Sequence, residues 1–476
     1  MKNYETVVGL EVHVELKTKT KIFCSCKTDF GGEPNTQCCP VCLGYPGTLP
    51  VLNRRVLEYA VKAGLATNCE IAEVCRTDRK NYIYPDLPKA YQISQYDRPL
   101  CAHGFLDIDT GSGTKRIGIT RIHIEEDAGK LIHRDGVGTL IDGNRCGVPL
   151  IEIVSEPDIR TSEEAVAYLK KLRTLMLYIG ISDCKMQEGS MRCDVNLSVR
   201  RVGDTAFGTR TEIKNINSFA FVAKAIDFEA KRQIALLERG ERILPETRRF
   251  NMENGRTESM RRKEEADDYR FFPEPDLPPI VTESALVGRL ADELPELPDS
   301  RKKRYVGEYG LSAYESEQLV AKKEFADYFE AAALLTAFRK ELSTLLLAEG
   351  LSLVEGEKLP PDPRNLAALA SLLGREEINA STAKKLLSEM KTSDFDPVEA
   401  VRTQGLSQLN DREEIEKLLL AAIEENPRGL ADCLAGKRYA AKAYVGAVMK
   451  KTNGRANPTV TNQILEKIIE VKTNEQ

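Results

Sequence analysis

The chain has 476 residues, 42% of them hydrophobic and 30% charged, and a formal net charge of −5. That length exceeds one hydrophobic core and allows about two to four domains, while no stretch approaches the ~20 consecutive apolar residues of a spanning helix, which argues against a membrane role. The acidic balance gives no global electrostatic case for nucleic acid, so only local basic patches can carry one.

The opening MKNYETVVGLEVHV runs into a strand pattern without a basic segment, an apolar core and a cleavage site, which points to the cytoplasm. Twelve cysteines in that setting read as thiols or metal ligands, not disulfides. In GLEVHVELKT, Leu10, Val12, Val14 and Leu16 alternate with Glu11, His13 and Glu15, so one strand face is apolar and the other carries carboxylates and an imidazole. FCSCKTDFGGEPNTQCCPVC follows. Its two chelating pairs, Cys24 with Cys26 and Cys39 with Cys42, have the spacing of a closed four-thiolate zinc site, with Cys38 spare; the competing reading is a set of unrelated thiols.

A helix is expected over about 53–66. In RTDRKNYIYPDLPKAYQISQ, Arg76, Arg79, Lys80 and Lys89 stand among Tyr82, Tyr84 and Tyr91, a mixture suited to unpaired RNA bases and their phosphates, or else a proline-fixed loop packed on a sheet. RIHIEEDAGK brings Arg121, His123, Glu125, Glu126 and Asp127, and PLIEIV sets Glu152 in an apolar run where a carboxylate needs a cation or a donor. After a helix over 162–179, EGSMRCDVNLSVR repeats the alternation, with Ser190, Arg192, Asp194 and Asn196 on the polar side. TEIKN adds Glu212, Lys214 and Asn215, and a helix is expected from about Phe219 to Arg239.

Any single polar face reads as a wetted sheet surface. Recurring isolated carboxylates with His, Asn and Arg instead suit a divalent cation and phosphate together, with Glu11, Glu126, Glu152 and His13 as ligands for Mg²⁺. The competing readings are a salt bridge from Glu152 to Arg192 or Lys214, and a merely hydrogen-bonded His13. Neither GxxxxGK[ST] nor GxGxxG follows a strand, and there is no amidase segment of its own. Past FFPEPDLPPI and LPELPD the composition turns to Ala, Leu, Glu and Lys at helical spacing. Several helices are expected to about residue 400, and a last helical unit over 406–476, whose stretch 437–455 holds Lys437, Arg438, Lys442, Lys450, Lys451 and Arg455 and no acid: an RNA-backbone face or a solvated one.

CPVCLGYPGTLPVLN, DRKNYIYPDLPKAYQISQ, RIHIEEDAGK, EGSMRCDVNLSVR, TEIKNINSF, DDYRFFPEPDLPP and GKRYAAKAYVGAVMKKTNGRANP together resemble, nearly end to end, the family of B subunits of aspartyl/glutamyl-tRNA amidotransferases. The resemblance implies an α+β protein: a cradle domain around a largely antiparallel sheet with the kinase and transamidase site (1–290), an all-α helical domain (291–405) and an all-α YqeY-like tail that binds tRNA (406–476). It implies ATP and Mg²⁺, with the magnesium ligands on His13, Glu126 and Glu152 and Glu11 adjacent. It implies two partner chains, an amidase or glutaminase A subunit and a small C subunit, with ammonia delivered through a channel and a misacylated tRNA as substrate. Zinc rests on the cysteine spacing alone. Within that chemistry Lys80, Arg192, Asp194, Glu212 and Lys214 are the candidates for positioning phosphate and carboxylate, and Ser190, Asn196, Arg79 and Lys89 for contacting the nucleotide. Two other readings compete: a non-catalytic tRNA-binding adaptor, and an unrelated ligase for a small carboxylic acid.

Overall fold

The computed structural model describes residues 3–111, 113–262, 269–349, 361–434, 440–452 and 454–474. The chain divides into two compact units, Met1–Leu297 and Pro298–Gln476.

The strands of the first unit are β1 (Tyr4–Glu15), β2 (Glu70–Ile71), β3 (Val74–Cys75), β4 (Asp78–Asn81), β5 (Tyr91–Ser94), β6 (Cys101–Thr110), β7 (Gly113–Glu126), β8 (Lys130–Arg134), β9 (Gly138–Asp142), β10 (Pro149–Ser155), β11 (Met191–Arg201), β12 (Thr211–Ile216), β13 (Glu246–Asn251), β14 (Arg256–Arg262), β15 (Phe272–Pro273) and β16 (Ile280–Val281). Among the described residues nine of them form one sheet in the order β14-β13-β12-β11-β1-β10-β7-β6-β2. Every neighbouring pair is antiparallel except β12 with β13, which makes the sheet mixed. The small sheet β15-β4-β5 borders β7, and β8-β9 is a separate hairpin.

Strand alternation explains the layering. Val8, Leu10, Val12 and Val14 of β1 and Met191, Cys193, Val195, Leu197 and Val199 of β11 are buried in one core with Ile151 and Ile153 of β10. Helices α1 (Arg54–Ala66), α2 (Ser162–Tyr178) and α3 (Phe219–Glu238) bury their apolar sides in that core, as does Leu290 of α4 (Ser284–Asp292). The first three start where their sequences supply an oxygen for orphan amides: Asn53 accepts from Arg55 N, Thr161 from Glu164 N and Ser218 from Phe221 N. With one face so covered, the alternate residues of β1, β10, β11 and β7 project from the other.

The second unit is helical: α5 (Pro298–Tyr309), α6 (Ala313–Val320), α7 (Lys323–Ala333), α8 (Arg339–Glu349), α9 (Pro363–Gly374), α10 (Ala380–Met390), α11 (Pro397–Thr403), α12 (Arg412–Glu425), α13 (Pro427–Leu434), α14 (Ala441–Lys451) and α15 (Pro458–Asn474). Proline opens α9, α11, α13 and α15, where its missing N–H costs nothing and its fixed φ suits the first turn. The unit holds two separate cores, one from Tyr305 to Val401 and one from Ile415 to Ile468. No helix among the described residues is long and apolar enough to cross a membrane.

Candidate metal and phosphate site on the polar sheet face

Register brings the polar residues into rows across four strands. Arg192, His13, Glu152 and His123 lie opposite one another from β11 through β1 and β10 to β7. The next row runs Asp194, Glu11, Val154, Arg121, and a third holds Glu15, Leu150 and Glu125. These positions are far apart in the chain and meet only because β1 sits between β10 and β11.

His13, Glu125 and Glu152 offer ligand atoms that all lie within 4.8 Å of one another. His13 Nε2 is 3.4 Å from Glu152 Oε2, and His123 Nε2 is 3.4 Å from the same oxygen and 3.2 Å from Glu125 Oε2. Burial would push Glu152 up, but His123 and then His13 hold its carboxyl well below the usual range. Ser94 Oγ donates to Glu125 Oε2 at 3.3 Å and Gln92 Nε2 to its other oxygen. One imidazole and two carboxylates form a hard, mostly oxygen donor set that fits a divalent cation such as Mg²⁺.

Glu126, expected as a ligand, is not part of this group. Its carboxylate accepts from Ile93 N at 2.9 Å and from the Lys89 ammonium. The reason is parity: in RIHIEE, Arg121, His123 and Glu125 share one face and Ile122, Ile124 and Glu126 the other, so moving one residue along β7 changes sides. Glu125 stands where Glu126 was expected, and His123 joins it; the alternation was readable in the sequence, but neither was singled out as a site residue.

A second acidic group, Glu11, Asp194 and Glu212, also gathers within 4.8 Å. Asn196 Nδ2 donates to Glu11 at 2.9 Å, and burial, then Glu152, raises that carboxyl. Lys214 Nζ fills the group's cationic role, 2.8 Å from Asp194 and 3.0 Å from Glu212. A bulge in β12 shapes this: Ile213 opposes Val195 and Ile216 opposes Cys193, so Lys214 and Asn215 together face the stretch around Asp194, with Asn215 at φ +63°.

Other cations named from the sequence are committed within the chain. Arg192 reaches Asp127 at 2.6 Å; Arg79 forks onto Glu274 at 2.7 and 2.9 Å, touches Asp276 at 3.0 Å and lies over the Tyr91 ring; Lys89 holds Glu126. Ser190 is tied into its own turn, accepting from Lys185 N at 2.8 Å and donating to Asp183. Lys80 differs. Its ammonium lies 5.1 Å from the Tyr269 ring centre and 5.9 Å from that of Tyr82, and Glu125 and Glu152 raise its pKa against the pull of burial. Tyr82 meets Tyr269 edge to face, Tyr84 is exposed, and Tyr91 covers Arg79 and Lys89.

The four sulfurs of Cys24, Cys26, Cys39 and Cys42 lie within 4.8 Å of one another. Tetrahedral zinc with Zn–S of about 2.3 Å spaces its sulfurs by roughly 3.8 Å, so a small contraction completes the site. Cys42 is pushed down to about 5, mainly by the hydrogen bond from Cys24, with the fully buried Lys21 ammonium 3.6 Å from its sulfur adding to the effect. Cys38 is outside the cluster and donates to Asn35 O. This four-cysteine cluster is consistent with a structural zinc.

In the second unit Lys442, Lys450, Lys451 and Arg455 are exposed. Lys451 reaches Glu425 at 2.6 Å and Arg455 donates to backbone carbonyls of Thr452 and Gly405. Lys437 and Arg438 lie outside the described residues.

Comparison with known proteins agrees with this architecture. Residues 6–288, the sheet unit with both carboxylate groups, match the family model described as the GatB/GatE catalytic domain, and residues 323–469 match the GatB domain that carries the Yqey label. The class is therefore that of an enzyme component with a catalytic sheet domain and a helical C-terminal part. The B subunits of aspartyl/glutamyl-tRNA(Asn/Gln) amidotransferase from Caldicellulosiruptor saccharolyticus and Carboxydothermus hydrogenoformans are each 52% identical to it, over 98% of this chain and 99% and 98% of theirs. The protein of the same name from Geotalea daltonii is 51% identical over 98% of this chain and 99% of its own. The chain belongs to the family of amidotransferase B subunits.

Proposed function

We propose that this chain carries out the ATP-dependent amidation of Glu on tRNA(Gln), of Asp on tRNA(Asn), or of both, in the cytoplasm, within an assembly whose glutaminase chain, the A subunit, supplies ammonia and whose small C subunit completes the complex. A carboxylate resists attack by ammonia, so the side chain must first become an acyl phosphate: a carboxylate oxygen takes the γ-phosphoryl group and ADP leaves. Ammonia then adds at the acyl carbon, inorganic phosphate departs with the C–O bond electrons, and the amide remains. The supporting observation is the His13, Glu125 and Glu152 group beside the Glu11, Asp194, Glu212 and Lys214 group on one sheet face.

A divalent cation held by His13, Glu125 and Glu152 would screen the negative charge of the transferring phosphoryl group. The chain's own residues do the rest. His123 braces both carboxylates, and Gln92 and Ser94 fix Glu125 from the small sheet. Lys80, whose ammonium lies over the Tyr269 and Tyr82 rings and is influenced electrostatically by Glu125 and Glu152, adds positive charge that can serve phosphate oxygens. Lys214 and Arg192, each braced by carboxylates, add fixed positive charge. The exposed lysines of α14 fit the phosphate backbone of the tRNA body.

Glu152→Gln is the test. With assembled enzyme, ATP and misacylated tRNA, the substitution is expected to lower acyl-phosphate formation by at least about 100-fold while tRNA affinity stays unchanged. Full phosphorylation in that variant would favour the adaptor reading, in which this sheet face is only structural.

A further inference from the structure

Among the cations of the polar face, Arg121 has no use in the description so far. It is half-buried on β7, in the row of Glu11 and Asp194 and next to the row of Glu152. Its single side-chain hydrogen bond among the described residues is from Nε to His123 Nδ1, at 3.3 Å. Among those residues, too, no carboxylate lies within 4 Å of it, and both terminal Nη groups lack partners. The contrast with its neighbours decides the matter: Arg192 has Asp127, Lys214 has Asp194 and Glu212, Arg79 has Glu274, and Arg200 has Glu5. A half-buried guanidinium with no anion of its own is a position that an incoming anion can complete. Both outer donors of the planar guanidinium are left over, a fork that matches two oxygens of a phosphate.

We propose that Arg121 is a substrate-binding residue that grips phosphate oxygens of the nucleoside triphosphate beside the His13, Glu125 and Glu152 group. This inference rests on the function proposed above. The nucleotide, and not a backbone phosphate of the tRNA, is the assigned source because His123 links Arg121 directly to Glu125 and Glu152, where a nucleotide's divalent cation would sit. Val154, between Glu11 and Arg121, leaves an apolar gap that keeps the guanidinium away from the acidic group and open to an incoming anion.

The test uses the full chain and three titrations on wild type, Arg121→Gln and Arg121→Lys: ATP with excess Mg²⁺, Mn²⁺ alone, and deacylated tRNA. Loss of a charge-assisted pair predicts ATP binding weakened about 10- to 100-fold in Arg121→Gln and less in Arg121→Lys, with Mn²⁺ and tRNA binding unchanged. ATP binding equal to wild type in Arg121→Gln overturns the inference while leaving the proposed function standing. A parallel loss of Mn²⁺ binding also overturns it, since Arg121 would then act only by holding His123. Weakened tRNA binding with ATP binding intact overturns the choice of source. A wild-type chain that binds no ATP removes the proposed function itself.

Discussion

Tyr168 lies wholly inside the first unit's core, and its hydroxyl has no hydrogen-bond partner among the described residues. A buried polar group in that state is a cost, so Tyr168→Phe is expected to stabilise the protein by about 1 kcal/mol, read as a higher urea midpoint at unchanged slope. A loss of similar size would show that the hydroxyl is engaged. The same logic of unmet groups makes the polar face intelligible residue by residue. His13 and Glu152 were legible from sequence because each interrupts an apolar pattern. Glu125 was legible only to a reader who kept count of the alternation, and His123, quoted in the same motif, was not singled out because its closeness to Glu152 depends on the register between β7 and β10. What sequence could not reveal was which cations are already spoken for: Arg79 is neutralised by Glu274, nearly two hundred positions away, and Lys89 by Glu126.

At the scale of elements, the bulge in β12 is the least ordinary feature. Asn215 adopts the left-handed region, where a β-branched side chain is strained. Asn215→Val is therefore expected to cost about 1–2 kcal/mol, while Asn215→Gly should cost far less. Equal stability of the two in denaturant titrations would mean that the backbone relaxes and the bulge is not held. The sequence carries a trace of it: Ile213 and Ile216 both belong to the core yet are three residues apart, which a period of two cannot accommodate without one extra residue. The strands β1 and β11 and the helices α1, α2 and α3 were legible throughout, because alternation and capping residues agree. The parallel pairing of β12 with β13 was not, since neither strand's pattern records the direction of its neighbour.

For the whole molecule, the thiolate cluster offers a way to separate scaffold from chemistry. Metal analysis is expected to return about one zinc per chain, and its removal by a chelator should raise amide exchange over residues 20–50 while β1 stays protected. Zinc-free protein with unchanged exchange in that loop would refute a bracing role. The two units each have their own cores, so damage in one is not bound to spread to the other. The position of β1 has a further consequence during synthesis. It leaves the ribosome well before the partners on its two flanks, since β10 and β11 begin only at Pro149 and Met191. At ordinary translation speeds that apolar ribbon waits on the order of ten seconds with both edges bare. Its imidazole and carboxylates alternate with Leu10, Val12 and Val14 and keep one side of the strand's second half hydrophilic during the wait, so the groups proposed for catalysis are expected to double as solubilising guards on the nascent chain.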